Sequence, residues 1–165
     1  MAPHSLLQLS GEMSALELKI PPPVVALLIG AAMWIGSRLG PVLEVPLPVR
    51  AAAFIALGML GGAIAIAGDI EFKRAKTTIN PLKPQNTTTL VTSGVYRLTR
   101  NPMYLGLMLV VIGWTVFLCS AWALAGPVVF VLYISRFQIE PEERILSAKF
   151  GAAYSDYVSR VRRWL

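Results

Sequence analysis

Gly94-Val95-Tyr96-Arg97-Leu98-Thr99-Arg100-Asn101-Pro102-Met103-Tyr104-Leu105-Gly106 joins a basic polar loop to an uncharged run of 35 residues, Asn101 to Ser135. Two arginines, an Asn-Pro and two tyrosines are costly to place beside a bilayer unless they have a task there. The stretch therefore points to a ligand site at a membrane surface. The run it opens is too long for one helix. At 1.5 Å per residue it would reach roughly 52 Å, against a hydrocarbon core of about 30 Å. A break is expected near Cys119-Ser120-Ala121-Trp122, where small polar residues meet an interfacial tryptophan, and Pro127 is expected to kink the second arm. This predicts two helices, about 103–118 and 122–139, joined as a tight hairpin.

Two earlier runs have the same character. Lys19 and Arg38 bracket 18 uncharged residues, Ile20 to Ser37, and Arg50 and Asp69 bracket another 18, Ala51 to Gly68. Each is near the minimum for crossing a bilayer. Three prolines open the first, a position where their missing N–H costs nothing. The linker from Leu39 to Val49 holds three prolines and a glycine and reads as a turn. The fold class predicted is an all-α membrane protein with four transmembrane helices, helices three and four forming a hairpin, followed by a cytosolic amphipathic C-terminal helix. One integral membrane domain fills residues 1–165: a lead-in and two spans over 1–68, then loop, hairpin and C-terminal segment over 69–165.

Composition agrees. The chain is 55% hydrophobic and 15% charged, with mean hydropathy +0.61, where a soluble domain carries about 25% charge. The net charge of +6 does not suggest nucleic acid, because the basic residues follow topology and no base-stacking module is visible. Lys73, Arg74, Lys76, Lys83, Arg97 and Arg100 lie in the 69–102 loop. Arg144, Lys149, Arg160, Arg162 and Arg163 lie after Glu140, and the hairpin tip has none. The positive-inside rule places loop and tail in the cytosol, and four passes then put the N-terminus there too. No secretory signal fits the first residues, and 1–19 reads as a short cytosolic lead-in. The richness in Ala, Gly and Pro and the small size give the impression of a prokaryotic inner membrane. The single cysteine, Cys119, lies in an apolar run and reads as core packing. Gly58-Met59-Leu60-Gly61-Gly62 contains a G-x-x-x-G, which serves either a dimer interface or packing within the chain; the second is favoured.

Beyond the hairpin comes Arg136-Phe137-Gln138-Ile139-Glu140-Pro141-Glu142-Glu143-Arg144. Arg136 and Glu140 are four apart and can pair on one helix face. Glu142 and Glu143 follow Pro141, as in the first turn of a new helix, where carboxylates meet the positive dipole end. The plain reading is a solvated helix start; a charge pair at the edge of a span argues for function. Leu146, Phe150, Tyr154, Tyr157 and Val161 then recur at helical spacing. They form an amphipathic helix on the membrane surface, a lid over a cytosolic pocket, or both.

Taken in order, these motifs are a Thr-rich loop, G-x-Y-R-x-x-R-N-P-x-Y-x-G, an apolar hairpin, R-x-x-x-E, E-E-x-x-L, F-G-x-x-Y-x-x-Y and a basic end. Over roughly residues 69–165 the chain resembles the integral-membrane methyltransferases typified by isoprenylcysteine carboxyl methyltransferase, a superfamily that includes phospholipid N-methyltransferases. The resemblance implies S-adenosylmethionine as methyl donor, with S-adenosylhomocysteine as product, in a pocket built without a Rossmann sheet; no G-x-G-x-x-G after a strand is present. It implies Tyr96, Arg100, Asn101, Pro102, Tyr104, Glu142 and Glu143 as cofactor-binding residues, and Arg136 and Glu140 as the catalytic pair. No metal is expected. The carboxyl methyltransferases usually have Arg-His-Pro where this chain has Arg100-Asn101-Pro102, and Asn cannot titrate near neutrality. The implied activity is methylation of a lipophilic acceptor at the membrane–cytosol interface, first a carboxylate. The alternatives are a phospholipid amine, another lipophilic amine or thiol, or a non-catalytic membrane scaffold. For a carboxylate, Arg136 would orient the acceptor and Glu140 would hold Arg136. For an amine or thiol, Glu140 becomes the candidate base. The partners expected are a lipophilic or lipid substrate and membrane lipids, with no nucleic acid.

Overall fold

A computed structural model describes residues 17–77 and 84–165. Its helices are α1 (Pro22–Ser37), α2 (Leu47–Arg74), α3 (Pro102–Leu118), α4 (Ala125–Ile134), α5 (Glu140–Phe150) and α6 (Ala152–Arg160). Short 3₁₀ turns cover Pro84–Asn86, Gly94–Arg97 and Ala121–Leu124, and a π turn covers Ser135–Ile139. Among the described residues the only β pairing is one bridge, Val42 with Ser120.

α1 begins on its prolines, as predicted. α2 is longer than the predicted 51–68 segment, because charged residues at both ends find helical partners. Arg50 donates to the Phe117 carbonyl at the end of α3 (3.3 Å) and lies over the Phe117 ring. At the other end Asp69 pairs with Lys73 (2.5 Å) and Glu71 with Arg74 (2.9 Å). Lys73 and Arg74 also suit the negative end of the helix dipole.

α2 and α3 pack antiparallel, and on α2 the contacts recur every seven residues. Phe54, Gly61 and Gly68 on α2 meet Gly113, Gly106 and Pro102 on α3. Gly61 and Gly106 touch backbone to backbone: a Cβ on Gly106 would lie 2.5 Å from the Gly61 carbonyl oxygen. Gly58 and Gly62 face open space. The packing within the chain therefore runs through Gly61, not through the G-x-x-x-G pair. On the other side of α3, Val25 and Met33 of α1 and Phe130 and Ile134 of α4 form the buried core with Val111.

The hairpin breaks where predicted. Cys119, which is buried, takes a left-handed conformation (φ 49°) and ends α3. Pro127 sits just after the change from 3₁₀ to α geometry. The Ala123 carbonyl that it leaves without an N–H partner lies 3.4 Å from the Thr115 hydroxyl.

The second arm departs from the prediction that it ends at 139. Ala121–Phe150 is one 30-residue helix, and the chain keeps helical angles through Ile139 and Glu140. Pro141 lacks the N–H that would reach the Phe137 carbonyl. That carbonyl accepts the Leu18 N–H instead (3.0 Å), and the π turn absorbs the mismatch. The predicted C-terminal amphipathic helix is likewise two helices, α5 and α6, divided at Gly151 (φ 51°, ψ −123°), a conformation that favours glycine. Its apolar face turns inward: Tyr154, Tyr157 and Val161 pack with Leu90, Leu146 and Phe150.

α2 and the Ala121–Phe150 helix are long and apolar enough to cross a membrane; α1 and α3 are shorter apolar helices of 16 and 17 residues.

Candidate active site

The start of α3, the side of α5, α6 and the polar loop enclose a cavity with about 800 Å³ of empty space, its open mouth included. The loop is fixed by Gly94, whose left-handed backbone brings the chain against the Glu71 carboxylate; a Cβ there would lie 2.6 Å from it. The Ser93 hydroxyl donates to the same carboxylate. This turn delivers Tyr96 into the cavity wall, edge-on to Phe72 at 5.4 Å.

Tyr96, Arg100, Asn101, Pro102, Tyr104, Glu142 and Glu143 all line the cavity. Tyr104 donates to Glu142 Oε1 at 2.5 Å, and Gln138 Nε2 donates to the same oxygen at 2.8 Å. Arg100 Nη1 pairs with Glu143 Oε1 at 3.0 Å, while Arg100 Nε is buried without a hydrogen-bond partner. Arg163 grips Glu143 with two N–H groups, Nε at 3.1 Å and Nη2 at 2.6 Å.

Asn101 does not use its side chain to cap α3. Its Nδ2 donates to the Arg163 carbonyl at 2.8 Å, the Thr99 hydroxyl donates to the same carbonyl at 3.3 Å, and the Arg100 N–H donates to the Arg162 carbonyl at 3.0 Å. Three consecutive residues thus hold the extended C-terminus across the Arg-Asn-Pro turn. Tyr157 closes the other side by donating to the Tyr96 carbonyl at 2.8 Å.

Arg136 and Glu140 are paired, as expected, at 3.5 Å, but neither lines the cavity. Glu140 lies on an adjoining open groove with Arg144, Ser147 and Arg163, which shares Arg100, Glu143 and Tyr154 with the cavity. Arg136 has a closer partner in Glu17, at 2.9 Å.

Burial pushes the Glu142 carboxyl, on α5 beyond the apolar run, up to about 7, and the bonds from Tyr104 and Gln138 oppose the rise. Burial also raises the Tyr154 phenol to about 12, and raises Tyr96 and Tyr157. Near neutrality these phenols are neutral hydrogen-bonding walls. The Glu143 hydrogen bonds raise Arg163.

Gln138, Arg163, Phe72 and Glu17 were not predicted as site residues. Gln138 stands four before Glu142, a spacing that could have found it. Glu17 is 119 positions from Arg136, and no local pattern points to it.

The cavity thus offers carboxylates for a cation, one guanidinium for an anion and aromatic faces. Residues 49–153, from α2 into the start of α6, match the phospholipid methyltransferase family. The chain is 46% identical over 63 residues to an uncharacterised protein of Haemophilus influenzae, which is 38% of this chain and all of that one. It is 33% identical over 106 residues to protein-S-isoprenylcysteine O-methyltransferase A of Arabidopsis thaliana, or 62% of this chain and 52% of that one. It is 44% identical over 79 residues to protein-S-isoprenylcysteine O-methyltransferase of Mus musculus, or 46% and 27%. The chain spans about half, or less, of the length of these named methyltransferases. No solved structure matches it. With almost two thirds of its length matched, the chain belongs to the phospholipid methyltransferase family.

Proposed function

We propose that the chain is a four-span membrane enzyme that methylates a lipophilic acceptor, with S-adenosylmethionine held in the cavity. The observation that carries this reading is the buried, unpartnered Nε of Arg100 in a wall that also presents Glu142 and Glu143. The donor carries a carboxylate, an ammonium and a sulfonium on one small body. Arg100 fits the carboxylate, and Glu142, whose hydrogen bonds both fall on Oε1, offers Oε2 to the ammonium. The faces of Tyr96, Tyr104 and Tyr154 suit a cation or a flat base. When bound, the donor supplies an electrophilic methyl on a sulfonium. Tyr157 and the C-terminal strap keep water out of the cavity and hold its walls in place.

The membrane setting rests on α2, on the Ala121–Phe150 helix and on outward-facing residues such as Leu27, Leu28, Met59 and Leu132. A large apolar surface of this kind suits lipid. α1 and α3 would cross as the shorter pair, about 24–26 Å each, with snorkelling ends. The basic loop and the C-terminus then face the cytosol.

The first acceptor reading is a carboxylate. Arg136 orients it and no base is needed; Glu140 and Glu17 hold Arg136. An amine or thiol acceptor would use Glu140 as base. The test is transfer of tritiated methyl in proteoliposomes to added lipophilic acids, amines and thiols. Alkali-labile label in the organic phase supports ester formation, and alkali-stable label moves the reading to nitrogen or sulfur. Arg136→Ala and Glu140→Ala should lose most turnover while still binding the donor. Wild-type turnover in both would remove that pair from the mechanism.

A further inference from the structure

Glu17 lies outside the segment matched to the family, yet its side chain is only 1% exposed. Oε1 accepts from Arg136 Nη1 at 2.9 Å and Oε2 accepts from Arg144 Nη2. A buried carboxylate persists only when paired, and an apolar residue could fill the same volume as stably. What an apolar residue cannot do is fix the direction of two guanidinium groups. Both remain substantially open, at 52% for Arg136 and 41% for Arg144. A guanidinium has five N–H donors, and Glu17 takes one from each.

The neighbouring backbone is built to hold this carboxylate. Leu18, buried, adopts a left-handed conformation (φ 56°) that disfavours residues other than glycine. In it the Leu18 N–H reaches the Phe137 carbonyl, the one that Pro141 leaves unclaimed, at 3.0 Å. The segment before α1 is thereby tied to the π turn that carries Arg136. Arg144 lies on the polar groove that shares Arg100, Glu143 and Tyr154 with the cavity, where Glu140 already has Arg163 at 3.9 Å. Glu140 also pairs with Arg136, and the connected ion-pair network sets four arginines (Arg100, Arg136, Arg144, Arg163) against three glutamates (Glu17, Glu140, Glu143), which leaves it with one net positive charge.

We propose that Glu17 is a positioning residue of the acceptor site. It holds Arg136 and Arg144 on one carboxylate so that their remaining N–H groups bind the acidic group, carboxylate or phosphate, of a lipid acceptor. The inference rests on reading the adjoining cavity as the methyl-donor site. It extends the site to a residue before the first helix and requires the acceptor to be anionic near the reacting atom.

The test uses the full chain in phosphatidylcholine nanodiscs. Hexyl phosphate and hexanoate are titrated calorimetrically, with hexyltrimethylammonium and inorganic phosphate as comparisons, and S-adenosylhomocysteine is titrated into the same samples. The wild type should bind both alkyl anions and neither comparison. Glu17→Gln and Arg144→Gln should each weaken alkyl-anion binding about tenfold, the double variant should be no weaker than the worse single, and Glu17→Asp should recover part of the loss. S-adenosylhomocysteine affinity should stay within about twofold throughout, which separates positioning from general loss of fold. Arg144→Gln alters a half-open residue and keeps the test alive if Glu17→Gln does not fold. Undiminished anion binding in Glu17→Gln, additive losses, or inorganic phosphate binding as well as hexyl phosphate would each overturn the proposal. Failure of S-adenosylhomocysteine to bind the wild type would instead sink the methyl-donor reading of the cavity.

Discussion

Glu142 sets the pH response of the cavity. Burial raises its carboxyl to about 7, and a ligand cation beside it favours the ionised form and lowers that value in the complex. Binding should therefore be at full strength above pH 7 and weaken by up to about tenfold per unit as pH falls below 7. Titrations of S-adenosylhomocysteine between pH 8 and 5.5 check this, and a flat affinity would remove Glu142 from contact with the ligand. Glu142→Gln should weaken binding about tenfold and abolish the slope. Asn101→Ala removes one hydrogen bond to the Arg163 carbonyl. It should cost about 1 kcal/mol of donor binding by loosening the C-terminus. Donor affinity unchanged in that variant would assign Asn101 to the fold alone. At this scale the sequence was most legible where the site is local. Tyr96, Arg100, Asn101, Pro102 and Tyr104 sit on one turn and the first turn of α3, so linear spacing already grouped them. Four-residue spacing, which is visible in a sequence, sets Arg136 beside Glu140. The nearer partner of Arg136, Glu17, is brought in only by the tertiary fold.

At the scale of elements, glycine contacts decide how α2 meets α3. A side chain on Gly61 would collide with the Gly106 carbonyl, so Gly61→Leu should destabilise the protein by about 1–3 kcal/mol or more, read as a lowered midpoint of thermal unfolding in detergent. Gly58→Leu and Gly62→Leu point into open space and should leave the midpoint within about 0.5 kcal/mol. Equal loss in all three would show that the crossing point lies elsewhere. The G-x-x-x-G pattern marked the right helix and the wrong glycines, because small-residue spacing does not say which face a neighbour takes. The charged boundaries of α2 were misplaced for a related reason. Arg50 and Asp69 end the uncharged run, but each has a partner that lets the helix continue. The sequence pattern makes Pro141 the start of a separate helix. The helix passes through it because the orphaned Phe137 carbonyl is met by Leu18, more than a hundred residues earlier.

For the whole molecule, the uncharged runs and the hairpin break located four apolar helices, and the break falls at Cys119. The inward turn of α6 was less legible. Its amphipathic pattern fits a lipid surface and a protein surface equally, and only the packing of Tyr154 and Tyr157 against the loop distinguishes them. The proposed topology can be checked with single cysteines at Ser93 and Pro41 in a Cys119→Ala background. A membrane-impermeant maleimide should label position 93 only from the cytosolic side and position 41 only from the opposite side; both labelled from one side would refute four spans.

The account turns on whether the cavity between α3, α5 and α6 holds the methyl donor. The direct measurement is calorimetric titration of S-adenosylmethionine and S-adenosylhomocysteine into the purified chain, with Tyr104→Ala as control. The account predicts saturable one-site binding of both, weakened at least about tenfold when the Tyr104 hydroxyl and ring are lost. Absence of binding to folded, monodisperse protein, or binding that Tyr104→Ala leaves untouched, would contradict it.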